Sequence, residues 1–416
     1  MKKEKKINVC IFASIFWPIY PGQGGRHAFT LAETLIKMGH KVNVISSHPS
    51  DYRSDKHSYF KFINIEIKNG IRIIRVPCII ATKPGIFRKL IFYLSFSITS
   101  LFALPSAGRH ELLLGLHPPP PYLILPAFLT SKLFNSKYVL RVTDFWPDVL
   151  FDYKYFRWNL VKIIFTYISR IMYKLADGII AFSPEIKNKL VEFGVPMCKI
   201  DVIEMATDTD IFRPLKNVRN ESRNLGFPDI SSKYVVFYAG AYALTYDFDI
   251  LLDAAKFLEN NKNIIFVLIG DGDNRDHILK RKKTLNLNNF YVLPPVSGAP
   301  IVTKYINCSD VCVVPLKGEM TTSMMTRPSK IFEFWACEKP VIVASRGYLA
   351  TFIEKSEAGI VIEPEKPEKL AEIITFLYEN PIKAIKMGKK GRALVLERFS
   401  QKKLQNNIKK IIKKMT

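Results

Sequence analysis

Apolar residues recur along this chain in two patterns, short unbroken runs and runs at helical spacing, and the two alternate from end to end. Runs at 7–13, 41–46, 71–76, 112–116, 138–142, 178–181 and 200–203 predict buried strands in the first half. Between them lie segments such as 27–38, where Ala28, Leu31, Ala32, Leu35 and Ile36 share one helical face. Helices are also expected at 86–104, from about Tyr122, at 158–174 and at 184–193. The second half repeats the rhythm, with strands at 234–239, 264–269, 290–293, 311–314 and 340–344 and helices at 249–258, at 300–307 and from about Pro328. Strands alternating with helices predict parallel sheets covered on both faces, the α/β class. Residues 216–232 concentrate Asn, Ser, Arg and Gly and read as a linker, so a domain boundary is expected near Thr207.

Composition narrows the class. A chain of 416 residues with 48% hydrophobic content can bury two cores and is not disordered. Its net charge of +24 and pI near 9.6 call for an anionic partner: nucleic acid, a membrane surface or phosphorylated substrates. The six cysteines make neither a disulfide framework nor a paired CxxC site and fit a reducing compartment. The basic start followed by an apolar run does not read as a signal peptide, because Asn8 and Ser14 interrupt the run and a glycine-rich loop follows it. The stretch 90–104 would span only about 22 Å as a helix, against about 30 Å for a bilayer core, so no membrane span is expected. That helix, with Lys83, Arg88 and Lys89 at its start, and the helix 158–174, with Arg157, Lys162, Arg170 and Lys174, would suit either an anionic lipid surface or the core. The tail from Lys386 carries eleven Lys/Arg and one acid, with Leu404, Ile408, Ile411 and Ile412 at helical spacing. Docking on the protein is the preferred reading of that helix, membrane binding the other.

Candidate chemistry centres on residues 327–342. Pro328 suits a first helical turn and Ser329 can cap it, which leaves backbone N–H groups and the charge of Lys330 facing a guest that a phosphate would satisfy. Glu333 lies four residues after Ser329 on the same face, and an acceptor-only group there matches a pair of sugar or ribose hydroxyls. Elsewhere, Pro21-Gly22-Gln23-Gly24-Gly25-Arg26 permits close approach at a helix start, although a structural turn explains it equally well. Gly240 and the turn Gly270-Asp271-Gly272 follow strand ends, where open α/β sheets bind ligands. Asp144 lies in such a loop too, as a site residue or a helix cap.

The stretch from Arg327 to Ile342 resembles the donor segment of the family-4 retaining glycosyltransferases, in the branch that builds polysaccharides and lipid-linked glycans, where it runs P-S-K, two apolar residues, E, an aromatic, x-A-x-x-K-P-V-I. Thr143-Asp144-Phe145-Trp146-Pro147-Asp148 resembles the family's D-L-W-P-D/E loop, and Thr207 to Pro214 its interdomain element. The resemblance implies the GT-B fold, two Rossmann-like doubly wound parallel-sheet domains facing a central cleft. Residues 1–206 would be the acceptor side, 207–385 the nucleotide-sugar side, and 386–416 a basic helix returning to the first domain. It implies transfer, with retention, of a sugar from a nucleotide sugar, UDP-linked by preference, to a hydroxyl of a lipid-linked or polysaccharide acceptor. Lys330, Glu333 and Asp144 would be catalytic. Gly24, Gly25, Gly240, Gly270, Gly272, Lys317, Arg327, Ser329, Lys330 and Glu333 would bind the donor, with Glu333 on the ribose. No metal and no cofactor beyond the nucleotide sugar is expected.

The chain departs from the family pattern in several places, Met205-Ala206 in place of Asn-Gly among them. Met325 replaces a second glutamate eight positions before Glu333, and Thr143 replaces a His or Arg before Asp144. Glu338 replaces a glycine where the helix would end in a left-handed turn. Residues 241–247 lack the usual Arg and Lys, for which Lys317, Arg327 and Lys330 are the expected substitutes. Residues 315–326 read as a mobile loop over the site. The expected setting is cytoplasmic, peripheral on the inner face of the cell membrane, with an anionic lipid surface as partner and no nucleic acid. Two other readings stay open. A GT-B sugar-nucleotide epimerase needs a positioned acid and base, and the second half offers His277 alone among histidines. A nucleic-acid-binding protein would explain the charge, but no zinc knuckle, RNP or basic-zipper pattern is present.

Overall fold

The computed structural model describes residues 6–16, 23–48, 62–79, 86–116, 125–148, 159–318 and 327–416. It separates into two compact units, Met1–Glu204 with Leu404–Thr416, and Met205–Lys403.

The first unit contains strands β1 (Asn8–Phe12), β2 (Lys41–Ser47), β3 (Asn64–Lys68), β4 (Ile71–Val76), β5 (Leu112–Gly115), β6 (Lys137–Val142), β7 (Gly178–Ala181) and β8 (Ile200–Val202), in the spatial order β3-β4-β2-β1-β5-β6-β7-β8. Its helices are α1 (Gln23–Lys37), α2 (Ile86–Ser100), α3 (Leu104–Ala107), α4 (Leu125–Leu133), α5 (Asn159–Leu175) and α6 (Pro184–Glu192). All pairings are parallel except β3 with β4. Strand β3 escaped the sequence reading because Ile65 and Ile67 are exposed on an edge. Its signal was Asn69-Gly70, both at positive φ in a two-residue hairpin turn.

The second unit has β9 (Tyr234–Ala239), β10 (Ile264–Ile269), β11 (Phe290–Leu293), β12 (Val311–Pro315), β13 (Val341–Ala344) and β14 (Gly359–Ile362), all parallel, in the order β11-β10-β9-β12-β13-β14. Around them lie α7 (Asp249–Phe257), α8 (Arg275–Thr284), α9 (Ala299–Asn307), α10 (Ser329–Ala336), α11 (Gly347–Ser356), α12 (Pro367–Glu379) and α13 (Pro381–Arg398); the final helix, α14 (Gln401–Met415), joins the first unit from Leu404 onward. Every residue of β10 is buried, as expected of a strand with helices on both faces. This is the doubly wound order, whose direction reverses between β9 and β12, and the crevice beyond the carboxyl ends of those two strands is where such sheets bind ligands.

Several expectations change. Helix α1 begins at Gln23 and not at His27, so Gly24 and Gly25 are helical residues and not part of a loop. The segment 386–416 is not one helix: α13 stays with the second unit, where Gly388 and Gly391 let it press on α10, and α14 alone covers the first sheet. Residues 216–232 are no loose linker, because Val218 and Ser222 are buried and Arg219 is bonded to Asp310 at 2.6 Å. Helix α2 continues through a 3₁₀ turn into α3, so Leu90–Ala107 is by length and composition apolar enough to cross a membrane. One face buries Phe92, Phe96, Ala103 and Ala107, with α2 against β2 and β4, while Ile91, Leu94, Ile98 and Phe102 stay exposed on the other.

Candidate functional site

Helix α10 connects β12 to β13, so its start lies at the reversal of strand order. Pro328 occupies the cap (φ −55°, ψ 126°), and Ser329 is the first helical residue rather than the cap. Its hydroxyl is buried without a hydrogen bond. Along α10 everything but Glu333 is buried, so the helix is a core element and not an amphipathic one. Glu333, half-buried, is the single side chain of α10 with substantial exposure. The helix ends in paired bonds, Glu338 N–H to Trp335 carbonyl (2.9 Å) and Lys339 N–H to Phe334 carbonyl (3.0 Å), with Glu338 left-handed at φ 58°. The awkward glutamate is real. A Cβ at Gly388 would lie 2.0 Å from the Glu338 carbonyl, which fixes glycine at that crossing. Lys339, conspicuous in the sequence as part of K-P-V-I, has a scaffold role: its ammonium caps α9 through the carbonyls of Asn307 (3.1 Å) and Ser309 (2.7 Å).

Lys330 does not project into solvent from the helix start. It is 2% exposed, donates to the Tyr238 hydroxyl at 2.7 Å, and lies 4.0 Å from the ring centroids of both Tyr238 and Tyr246. Among the described residues no carboxylate is hydrogen-bonded to it. Burial lowers its pKa from 10.5 to about 7, an effect opposed by the nearby charge of Glu333. A Cβ on Gly240 would come within 2.8 Å of the ammonium, and its φ of 133° is one that residues with a side chain rarely adopt, so glycine suits the position after β9 on both counts.

The glycine turns converge on the same point. Gly240 (φ 133°), Gly270 (φ 154°) and Gly272 (φ 147°) pack the loops after β9 and β10 together: a Cβ at Gly270 would sit 1.9 Å from the Gly240 carbonyl, and one at Gly272 would meet the Tyr242 backbone at 2.9 Å. Tyr242 N–H donates to the Asp271 carbonyl at 2.8 Å and locks the two loops. Lys317 belongs to this group as well. Its N–H donates to the Thr245 carbonyl at 3.1 Å, and its charge offsets part of the burial that raises the Asp247 carboxyl.

Arg327, expected at the donor, is held among aromatic rings. It is 4% exposed, with its guanidinium stacked 4.0 Å over Phe352 and 4.6 Å over Tyr348. Asp144, Gly24 and Gly25 belong to the first unit; Asp144 is half-buried, with the Thr143 hydroxyl 3.4 Å away. His277 is on the outer face of α8, exposed and bonded to Asp249 at 2.8 Å. Met325 and residues 319–326 of the expected loop lie outside the described residues. Sequence reading missed the aromatic cage of Tyr238, Tyr242, Tyr246 and Phe248; its signal was Tyr242 and Tyr246 on either side of a loop without cations.

Residues 24–211 match the family described as Glycosyltransferase Family 4, and residues 233–380 match Glycosyl transferases group 1. The D-inositol 3-phosphate glycosyltransferase of Thermomonospora curvata is 25% identical over 222 residues, 50% of each chain. The chitobiosyldiphosphodolichol beta-mannosyltransferase of Candida albicans is 24% identical over 287 residues, 65% of this chain and 62% of that one. The chain thus spans about half the length of the inositol-phosphate enzyme it matches. Among solved structures, sucrose-phosphate synthase from Thermosynechococcus elongatus superposes with a TM-score of 0.75 at 17% identity, covering 99% of both chains. Anabaena HepE, solved with UDP-glucose, gives 0.71 at 14%, covering 98% of this chain and 100% of that one. With a family match over each half and this fold over its whole length, the chain belongs to the family-4 glycosyltransferases of the GT-B fold.

Proposed function

We propose that the chain moves a sugar from a nucleotide sugar, UDP-linked by preference, to a hydroxyl of a lipid-linked or polysaccharide acceptor, with retention of anomeric configuration. The observation that carries this reading is Lys330, a buried ammonium at the sheet's reversal point with no carboxylate bonded to it among the described residues. A diphosphate supplies the missing charge. Negative charge grows on the leaving diphosphate in the transition state, and a cation held in a low-dielectric site beside a helix N-terminus stabilises it more there than in the ground state. Glu333, the half-exposed acceptor one turn on, takes the ribose hydroxyls. Asp144 acts from the first unit on the acceptor side. The UDP preference is supported by the UDP-glucose bound to Anabaena HepE, and the lipid-linked acceptor by the dolichol in the name of the Candida relative. Retention rests on the sequence resemblance. A cytoplasmic setting on the inner membrane face fits the basic charge, and no metal or further cofactor is needed, so activity should persist in EDTA.

Thermal shift against UDP, GDP, ADP, CMP and NAD tests the site. Ligand at ~100 Kd adds about 2.7 kcal/mol to the unit that binds it. UDP should shift the wild type and lose most of that shift in Lys330→Gln and in Glu333→Ala. Full shifts in both variants would sink the assignment. Proton NMR of the product's anomeric signal decides retention.

A further inference from the structure

Arg141, near the carboxyl end of β6, is 8% exposed. Alternation along the strand sets its direction: Tyr138 turns its ring to Phe128 of α4, 6.3 Å between centroids, so Arg141 and Thr143 face the other side of the sheet. There the guanidinium lies 5.3 Å over the ring of Phe182. Among the described residues no carboxylate, carbonyl or hydroxyl is bonded to it, and its Nε is buried without a partner. The other buried arginine of this unit is paired: Arg75 with Glu66 at 2.8 Å. Burying a guanidinium without an anion is costly, and here burial lowers its pKa to about 10 with no neighbouring charge to offset it. Phe182 leads directly into α6, whose first turn is capped by Ser183 and carries the partial positive charge of a helix start. Glu185 in that turn has a contact of its own. The site is therefore a buried planar cation, unpaired among the described residues, at the carboxyl edge of a parallel sheet.

We propose that Arg141 anchors a phosphoryl oxyanion carried by the acceptor. A guanidinium fork matches phosphate oxygens bidentately, and a neutral glycan hydroxyl would leave its charge uncompensated. The proposal rests on the glycosyl-transfer reading above and narrows its acceptor to phosphate-bearing molecules, such as a prenyl diphosphate-linked glycan.

The test uses the full chain with its donor site saturated by UDP, so that added phosphates cannot bind there. Farnesyl diphosphate and inorganic pyrophosphate are titrated calorimetrically into wild type and Arg141→Gln. Expected is binding to the wild type, weakened at least tenfold in the variant, with UDP affinity unchanged in both. Tighter binding of the prenyl probe identifies a lipid headgroup, and equal binding identifies the diphosphate alone. Equal affinity in wild type and variant, or no binding to the UDP-saturated wild type, overturns the proposal. If Arg141→Gln does not fold, the ¹⁵Nε resonance of Arg141 in the wild type decides: it moves on adding pyrophosphate, or the proposal fails. Loss of UDP binding itself would instead indict the glycosyl-transfer reading.

Discussion

Lys330 titrates near neutrality, and the sign of its pH effect follows from the direction of the shift. In the unfolded chain the ammonium keeps its proton to about 10.5, whereas in the folded chain it loses it near 7. Between those values the unfolded state binds more protons, so this group makes stability rise with pH across that window. A bound diphosphate restores the proton. UDP binding above pH 7 should therefore take up a proton and weaken by up to about tenfold per pH unit. Calorimetry at pH 8 in buffers of different ionisation enthalpy should show uptake approaching one proton in the wild type and none in Lys330→Gln. Equal uptake in both would detach the effect from this lysine. Glu338 supports a second prediction: Glu338→Gly relieves the left-handed strain at φ 58° and should raise stability by about 1 kcal/mol in chemical denaturation. That strain was legible in the sequence, because a family glycine had become a glutamate. The inward turn of Lys330 was not, since the residues that receive it, Tyr238 and Tyr246, lie far back along the chain and leave no local trace.

At the level of elements the strands were easier to read than the helix faces. Buried parallel strands announce themselves as unbroken apolar runs, and the two that were lost, β3 and β14, lie at sheet edges and are mostly not buried. Helix α5 shows the converse problem. Its apolar positions at helical spacing suggest an inward stripe, yet Leu160 (67%), Ile163 (64%), Ile164 (48%) and Tyr167 (64%) are exposed, while Ser169 and Tyr173 face the core. Periodicity reveals that a stripe exists and cannot say which side meets the protein. The helix carries no acid, and Lys162, Arg170 and Lys174 flank the outward stripe, the composition of a helix lying on anionic lipid. Wild-type protein should co-sediment with anionic vesicles at physiological salt, and Ile163→Glu with Tyr167→Glu should reduce that at least tenfold without altering the UDP shift. Absence of wild-type sedimentation would remove the membrane partner.

On the scale of the whole chain, the two sheet orders follow from the βα rhythm, because parallel neighbours need helical crossovers and the right-handed crossover leaves few arrangements. The last segment obeys no such local rule. Helix α14 leaves the second unit's sequence to complete the first: Leu404, Ile408, Ile411 and Ile412 are all under 9% exposed, Met415 crowds Gly178, and Lys414 bonds Asp201 at 2.7 Å. Four such aliphatic residues are worth roughly 6 kcal/mol or more at about 1.5–3 kcal/mol each, comparable to the ~5–15 kcal/mol that holds a domain folded. The exposed Lys414–Asp201 pair adds little to that. Ending the chain after Ser400 should therefore unfold the first unit or lower its thermal transition sharply. The second unit keeps its full sheet, so its transition should still rise with UDP in scanning calorimetry. A truncated protein whose two transitions both survive would mean that α14 contributes little to the first core. If the UDP-dependent transition were lost instead, nucleotide binding would depend on the first unit, and Lys330 with its glycine turns would not suffice to hold the donor.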